Sequence, residues 1–398
     1  MNEARTSTNG PLPTRVTRTA KHGAVVSMDD WGEVMDALTN HHHKPDLEAA
    51  RALYSAIAAH RLNGAPVWPM IVAPPGSMKT VLLEALDGLP GCHFVDKLTP
   101  NTFLSGQIQH SRQKSARSPS LLHRIGKTGI LIYADFSTIL AMNRDHRNAI
   151  LADMRRIYDG KLTREFGTTE RPAERVWEGR LTFAAAATPA LDSYFSVFQS
   201  LGERFVLIRP ARPDGVESAI RAIKQDRIKA KQEVREAVRN LFDEMPDFEP
   251  EISQENLEGI AALAEFTVRA RTHVPRSGYG NKQIEYVPEP EAPTRLGQQL
   301  AQLAKGSALI ACRCEVKTED LMLVRRVALD CVPAIRRKIL TALIAFEDLA
   351  KIDLPPSTRQ YATEELEALK LVKKHGSNGV LSDFAADLLV NAGYWTDR

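Results

Sequence analysis

The stretch Ala73-Pro74-Pro75-Gly76-Ser77-Met78-Lys79-Thr80 decides how the rest of the chain is read. A short apolar run, 67–72, precedes it, and Val81-Leu82-Leu83-Glu84-Ala85-Leu86 follows with helical character. Strand, glycine-containing turn, Lys-Thr and helix is the order in which a chain builds a phosphate-binding loop. Unpaired backbone N–H groups in such a turn, together with the helix dipole, favour an anion. Lys79 would reach the β- and γ-phosphate oxygens, and the Thr80 hydroxyl would face Mg²⁺. Ala73 and Met78 stand where the usual pattern has glycine. A methionine costs about 1–2 kcal/mol more than glycine wherever the turn needs positive φ. The whole octapeptide 73–80 is the expected cradle.

Outward from the loop, apolar runs alternate with helical ones. Gly129-Ile130-Leu131-Ile132-Tyr133-Ala134-Asp135 reads as a buried strand, and a helix with Met154, Ile157 and Tyr158 on one face comes after it. Leu181 to Thr188 reads as a third strand ending in a polar residue, and Phe205-Val206-Leu207-Ile208-Arg209 closes the unit. Apolar strands alternating with helices predict an α/β fold whose parallel sheet is sandwiched by helices. After Pro210-Ala211-Arg212-Pro213 the chain turns helical and charged, over 216–245, 252–270, 294–311 and 318–331. The last part has the order of a winged helix: helices 334–346, 347–353 and 358–371, then a hairpin around 373–379. The expected organisation is a disordered arm (1–24), N-terminal helices (25–64), a nucleotide-binding core (65–210), an all-helical lid (211–330) and a winged helix-turn-helix (331–398).

Composition sets the limits. With 398 residues, 43% hydrophobic and 25% charged, the chain can bury two or three cores. Its net charge of +3 excludes binding to nucleic acid by bulk charge alone. No compact apolar leader and no long apolar run are present, so neither secretion nor membrane spanning is expected. Four cysteines, Cys92, Cys312, Cys314 and Cys331, do not form a disulfide framework, and a cytoplasmic setting follows. The arm holds four Lys/Arg and one acid, an unstructured leader that could touch a polyanion. His41-His42-His43 lacks a further ligand at metal-binding spacing.

Taken together, Pro74-Pro75-Gly76-Ser77-Met78-Lys79-Thr80, the strand ending in Asp135, the strand ending in Thr188, Glu203-Arg204-Phe205 and Pro293-Thr294-Arg295 resemble the AAA+ P-loop ATPases. The likeness extends over roughly 66–331 and is nearest the MCM and MoxR side of that superfamily, because of the Arg-Phe pair and the inserted stretch 160–180. The winged helix is similar to the appendage of replication-initiator and MCM-type members. The resemblance implies a phage- or mobile-element-type protein that uses ATP and Mg²⁺. Residue by residue, it implies that Lys79 and Thr80 bind phosphate and Mg²⁺, that Asp135 is the Walker B acid on Mg²⁺ and that Thr188 positions the attacking water. Arg204 resembles the arginine finger that completes a neighbouring subunit's site. Arg295 resembles the sensor-2 arginine on the γ-phosphate. Because an arginine finger needs a neighbour, the resemblance implies a ring of identical subunits, with a hexamer as the expected size.

One departure stands out. The family carries Asp-Glu at Walker B, and here Phe136 follows Asp135. Either Asp135 holds Mg²⁺ and the water-polarising Glu is missing, or the register slips so that Asp135 takes the Glu position and Ala134 replaces the metal acid. Asp145, Asp153, Ser137 and Thr138 are possible substitutes.

Charge is unevenly spread. Residues 97–134 contain no Asp or Glu, yet carry Lys97, Arg112, Lys114, Arg117, Arg124 and Lys127, with His110 and His123. Copied around a ring, these cations would line a basic channel for a phosphate backbone; one at a time, each reads as a solvated loop residue. In the winged helix, Ser357, Thr358 and Arg359 open the recognition helix, and Lys373 and Lys374 sit at the wing. Residues 331–398 also hold nine basic and nine acidic residues, a balance that suits protein docking as well as DNA. Three functions fit: a DNA helicase, translocase or loader; a slowly hydrolysing ATP switch that assembles on DNA; and a MoxR-like protein remodeller.

Overall fold

The computed structural model describes residues 30–105, 120–166, 173–194, 203–212, 215–278, 282–375 and 378–395. Helices α1 (Asp30–His41) and α2 (Leu47–Ala58) open this part of the chain. Asp46 starts α2 by accepting from the Ala49 amide at 3.0 Å, which satisfies one of the unpaired donors of a helix start. Strand β1 (Trp68–Val72) leads through the loop to α3 (Lys79–Glu84). Next come β2 (Cys92–Phe94), α4 (Leu121–Ile125), β3 (Thr128–Tyr133), α5 (Ser137–Leu140) and α6 (Arg144–Tyr158). An antiparallel hairpin, β4 (Lys161–Phe166) and β5 (Ala173–Glu178), precedes β6 (Arg180–Ala187) and β7 (Phe205–Ile208).

Five strands form one parallel sheet in the order β2-β3-β6-β1-β7. The chain leaves β1 toward one edge and returns past it to place β7 on the other side. An open sheet with such a reversal forms a crevice outside the carboxyl ends of its strands, and the loop after β1 lies there. Both faces are covered, as parallel sheets require. On one face Trp68, Phe183 and Phe205 stack within 5.4–5.7 Å of one another, and Tyr158 of α6 packs on Trp68 at 5.2 Å. The opposite face carries Thr182, bonded at 3.0 Å to His60, which lies in the turn just after α2. The molecule is thus α/β, with a five-stranded parallel sheet flanked by helices.

Five helices continue from the sheet: α7 (Gly215–Lys224), α8 (Arg227–Asp243), α9 (Gln254–Arg271), α10 (Thr294–Ile310) and α11 (Thr318–Asp330). The last four share one apolar core with the sheet and with α1 and α2, whereas α7 buries no side chain. α10 comes close to α2 at Gly306, where a Cβ would fall 2.0 Å from the Ser55 carbonyl oxygen. The remaining elements are α12 (Ala334–Ile344), α13 (Pro356–Ala368), the hairpin β8 (Val372–His375) and β9 (Asn378–Leu381), and α14 (Asp383–Asn391). They gather around a second core that borrows Phe266 and Ala270 from α9. Arg276 fastens this unit to the segment after α9. It pairs with Glu365 at 2.8 Å and Glu364 at 3.1 Å, donates to the Tyr361 carbonyl at 2.6 Å, and lies 4.8 Å from the Tyr361 ring centroid.

Several elements differ from the sequence expectation. Strand β2 has three residues, none buried, so no apolar run announces it. The stretch 216–245 is two helices, because Asp226 stops one and caps the next, accepting from Ile228 and Lys229 amides at 3.0 and 3.1 Å. The expected helix 347–353 is a 3₁₀ turn, Leu349–Lys351. Residues 1–29, including the arm, lie outside the described residues. No described helix is long and apolar enough to cross a membrane.

Candidate functional site

The loop between β1 and α3 turns on two residues with positive φ: Gly76 at 80° and Met78 at 61°. Gly76 has no atom within 4 Å of where a Cβ would sit, so its glycine serves conformation alone. Met78 holds the left-handed conformation without that freedom, while its side chain packs against the core. Pro74, Pro75, Gly76 and Thr80 are exposed, and Ala73 and Ser77 are buried. Lys79 folds back over the loop, donating from Nζ to the carbonyl of Ala73 and, at 3.1 Å, to that of Pro74. Burial lowers its ammonium below the ordinary lysine value, and the negative charge of Asp135 opposes this. Lys79 and Asp135 are therefore electrostatic neighbours across the rim, although 56 residues of sequence separate them.

Asp135 lies just past the end of β3, exposed, with Oδ1 accepting from the Ser137 amide at 3.2 Å. Its carbonyl accepts from Thr138 Oγ1 at 2.7 Å, and Thr138 Oγ1 also meets the Tyr133 hydroxyl at 2.7 Å. Thr188, at the end of β6, donates its amide to Ser137 Oγ at 3.0 Å, with the two hydroxyls 3.3 Å apart. Lys79, Thr188 and Asp135 thus reach one rim from three neighbouring strands, in the order β1, β6, β3. Phe136 turns the other way. Its amide donates to the Ala186 carbonyl at 2.7 Å, and its ring is fully buried, 5.3 Å from Phe205. Of the possible substitute acids, Asp153 is spent on Arg164, while Asp145 lies in the first turn of α6.

The residue set fits Mg²⁺ with nucleotide. Thr80 and Asp135 supply a hydroxyl and a carboxylate, hard oxygen donors, and Mg²⁺ takes its remaining ligands from water and substrate phosphates. Lys79 satisfies itself on two loop carbonyls, which a phosphate oxygen can replace as acceptor.

Arg204 and Arg295 occupy the opposite end of the sheet. Arg204 immediately precedes β7, and Phe205 pairs with Trp68, the first residue of β1. Five residues of β1 span roughly 16 Å. The Arg204 guanidinium meets both carboxylate oxygens of Asp159, at 3.1 and 3.2 Å, and lies 5.5 Å from the Tyr158 ring centroid. Burial lowers its pKa, the Asp159 charge opposes that, and Arg295 adds to the lowering. Arg295, 3.5 Å from Glu291, therefore stands with Arg204 rather than with Lys79. Burial also pushes the Tyr158 phenol up to about 12, with both arginines opposing.

The cations named for DNA do not form one surface among the described residues. Arg112, Lys114 and Arg117 lie outside the described residues, as does His110. Arg124 and Lys127 are exposed before β3, at the sheet's amino end, whereas Lys97 is exposed after β2, at the carboxyl end. Within α13, Ser357 is exposed and Thr358 half-buried, but Arg359 donates to the Leu349 and Ala350 carbonyls at 2.9 and 3.2 Å. Lys373 pairs with Asp383 at 2.7 Å, and the side chain of Lys374 is outside the described set.

Two braces escape sequence reasoning. Arg209 clasps Asp192 through both guanidinium nitrogens at 2.6 and 3.0 Å and takes the Asp330 carboxylate on its amide at 2.8 Å, tying the exits of β6 and β7 to α11. Arg164 of β4 donates to the carbonyls of Pro100 and Leu104 at 2.6 and 3.0 Å, bracing the stem of the segment after β2. Only tertiary proximity reveals either. No protein-family model matches the chain, and no curated protein matches it.

Proposed function

We propose that the chain is an ATP-binding P-loop ATPase of the AAA+ type that assembles as a homo-oligomeric ring and acts on DNA, as a helicase, translocase or loader in replication or a mobile element. The observation that carries this reading is the convergence of Lys79, Thr188 and Asp135 on the carboxyl rim of a parallel sheet whose loop-bearing strand is central. Such a rim is where open α/β sheets bind ligands. Lys79 would exchange its carbonyl partners for β- and γ-phosphate oxygens. Thr188, held by Ser137, would orient the attacking water. Asp135 and Thr80 would hold Mg²⁺, which supplies charge neutralisation at the phosphates. Arg204 and Arg295, a sheet's height from Lys79, would serve the nucleotide of a neighbouring copy. DNA is supported by the acid-free stretch 97–134.

The burial of Phe136 favours a second reading, an ATP switch that assembles on DNA and hydrolyses slowly, because residue 136 cannot reach a water at the rim. The internal partners of Arg359 and Lys373 favour the third, a MoxR-like remodeller whose C-terminal unit docks a protein.

The test is a titration with a fluorescent ATP analogue, followed by turnover with and without single- and double-stranded DNA. Lys79→Ala should weaken nucleotide binding at least tenfold while leaving the fold intact. Equal binding by the two proteins would end the phosphate-loop reading. Turnover indifferent to DNA, with no DNA bound, would end the DNA assignment and leave the remodeller.

A further inference from the structure

The buried Phe136 leaves the rim one carboxylate short of what ATP hydrolysis ordinarily uses, and the sheet register points to where a second one stands. β2 runs parallel to β3 with Phe94 opposite Ile132, and the Val95 amide donates to the Ile132 carbonyl at 3.0 Å. Continuing that register by two residues brings Asp96 beside Ala134, one sheet spacing of ~4.8 Å from the turn that bears Asp135. Asp96 and Asp135 are both exposed. Thr138 Oγ1 meets the Tyr133 hydroxyl and donates to the Asp135 carbonyl, each at 2.7 Å, fixing the turn that bears Asp135. The register thus sets both carboxylates at one corner of the rim.

The order along the rim matters for chemistry. From β1 outward it runs Lys79, Thr188, Asp135, Asp96. Phosphoryl transfer places the attacking and leaving oxygens in line on opposite sides of the γ-phosphorus. If the loop holds the leaving oxygen, as proposed above, the attacking water would stand on the side of β3 and β2.

We propose that Asp96 is the general base of the site, taking the role that Phe136 cannot fill; this rests on the phosphate-loop reading above. The water oxygen forms its bond to the γ-phosphorus as the bond to the β–γ bridging oxygen breaks. The water's proton passes to the Asp96 carboxylate, the bond's electron pair leaves with ADP, and Asp96 returns the proton to solvent. General-base catalysis is worth about 10²–10⁴-fold.

The experiment compares the full-length protein with Asp96→Asn, Asp96→Glu and Lys79→Ala, measuring ATP-analogue affinity, steady-state turnover and the urea midpoint of each. Asp96→Asn should lower kcat by about 100-fold or more, with affinity and midpoint unchanged, and Asp96→Glu should retain part of the rate. Turnover of Asp96→Asn within twofold of the unaltered protein would overturn the assignment. ATP binding without measurable turnover in the unaltered protein would also overturn it, leaving the nucleotide-switch reading standing. Failure of the unaltered protein to bind ATP would remove the phosphate-loop reading and this inference together.

Discussion

Position 136 is where the resemblance to the AAA+ pattern and the structure pull hardest in different directions, so its substitution is the sharpest test of the fold beneath the site. Phe136 is 0% exposed, with its ring 5.3 Å from Phe205 and 6.4 Å from Phe183, both edge-on. An aromatic side chain buries roughly 150–250 Å², and measured Phe→Ala changes in cores cost about 3–5 kcal/mol. Phe136→Ala should therefore cost about 4 kcal/mol, and Phe136→Leu, which nearly conserves volume, less than about 1.5 kcal/mol. With a urea slope of about 3 kcal/mol per molar, alanine lowers the midpoint by about 1.3 M. Phe136→Glu would write the Asp-Glu pair of the AAA+ family into this chain. In place it would lose the aromatic contacts and bury an unpaired carboxylate, several kcal/mol more. That sum approaches the whole stability of a typical domain, about 5–15 kcal/mol. The expected result is a protein that fails to fold or loses its midpoint entirely, with no gain in ATP turnover. Urea titration followed by tryptophan fluorescence suits the question, since Trp68 packs 5.4 Å from Phe205. A Phe136→Glu protein with an unaltered midpoint and faster hydrolysis would show that residue 136 faces the nucleotide, and the placement of Phe136 in the core would be wrong.

Two further outcomes follow from particular contacts. Burial, then the charge of Arg180, holds the His60 imidazole down at about 3 against an ordinary 6.5. Below pH 6.5 the unfolded chain takes this proton and the folded one refuses it, so stability is lost as pH falls toward 3, by about 4–5 kcal/mol in all. His60→Gln should flatten that part of the stability–pH curve, and identical slopes in the two proteins would refute the assignment. Gly306→Ala must push its methyl against a carbonyl oxygen 2.0 Å away and part α2 from α10, whereas Gly76→Ala meets open space at φ 80°. The first should cost about 3 kcal/mol or more and the second only about 1–2 kcal/mol, so equal losses of urea midpoint would contradict the packing described.

What could be read from the sequence, and what could not, divides along physical lines. β1, β3, β6 and β7 were legible because strands buried on both faces must be apolar throughout, and the loop was legible because Gly76, Lys79 and Thr80 come in a fixed order. β2 was not, since three partly exposed residues on a sheet edge carry no periodic signal. The hairpin β4–β5 hid because its strands alternate charged residues with single apolar ones, Leu162 and Trp177, that face each other only after pairing. The split at Asp226 was written in the sequence as an N-cap, but a continuous run of charged residues masked it. Among site residues, those on the loop were found by motif. Asp96 was not, because its place beside Ala134 depends on the pairing of β2, the strand that was missed. Arg359 and Lys373 looked like cations free for DNA, and only tertiary contacts reveal their partners.

The distribution of charge over the sheet bears on assembly. At the carboxyl rim stand Lys79, Thr188, Asp135 and Asp96; at the amino end stand Arg204, Arg295, Arg124 and Lys127. β1, five residues long, separates the two sets by roughly 16 Å. While β1 and β7 keep their register, Arg204 stays at the opposite end of the sheet from Lys79 of the same chain, and Arg295 stands beside it. Arg204 is meanwhile kept in shape by Asp159 and the Tyr158 ring, and Gln299, fully buried, donates to its carbonyl at 2.6 Å. A guanidinium held rigidly at the far end from its own loop gains a role in phosphate chemistry only when a second copy presents its rim there. On the proposed reading the isolated chain therefore binds nucleotide with one half of a site and carries the other half on its opposite end. Assembly into a ring is then a condition of the chemistry rather than a refinement of it.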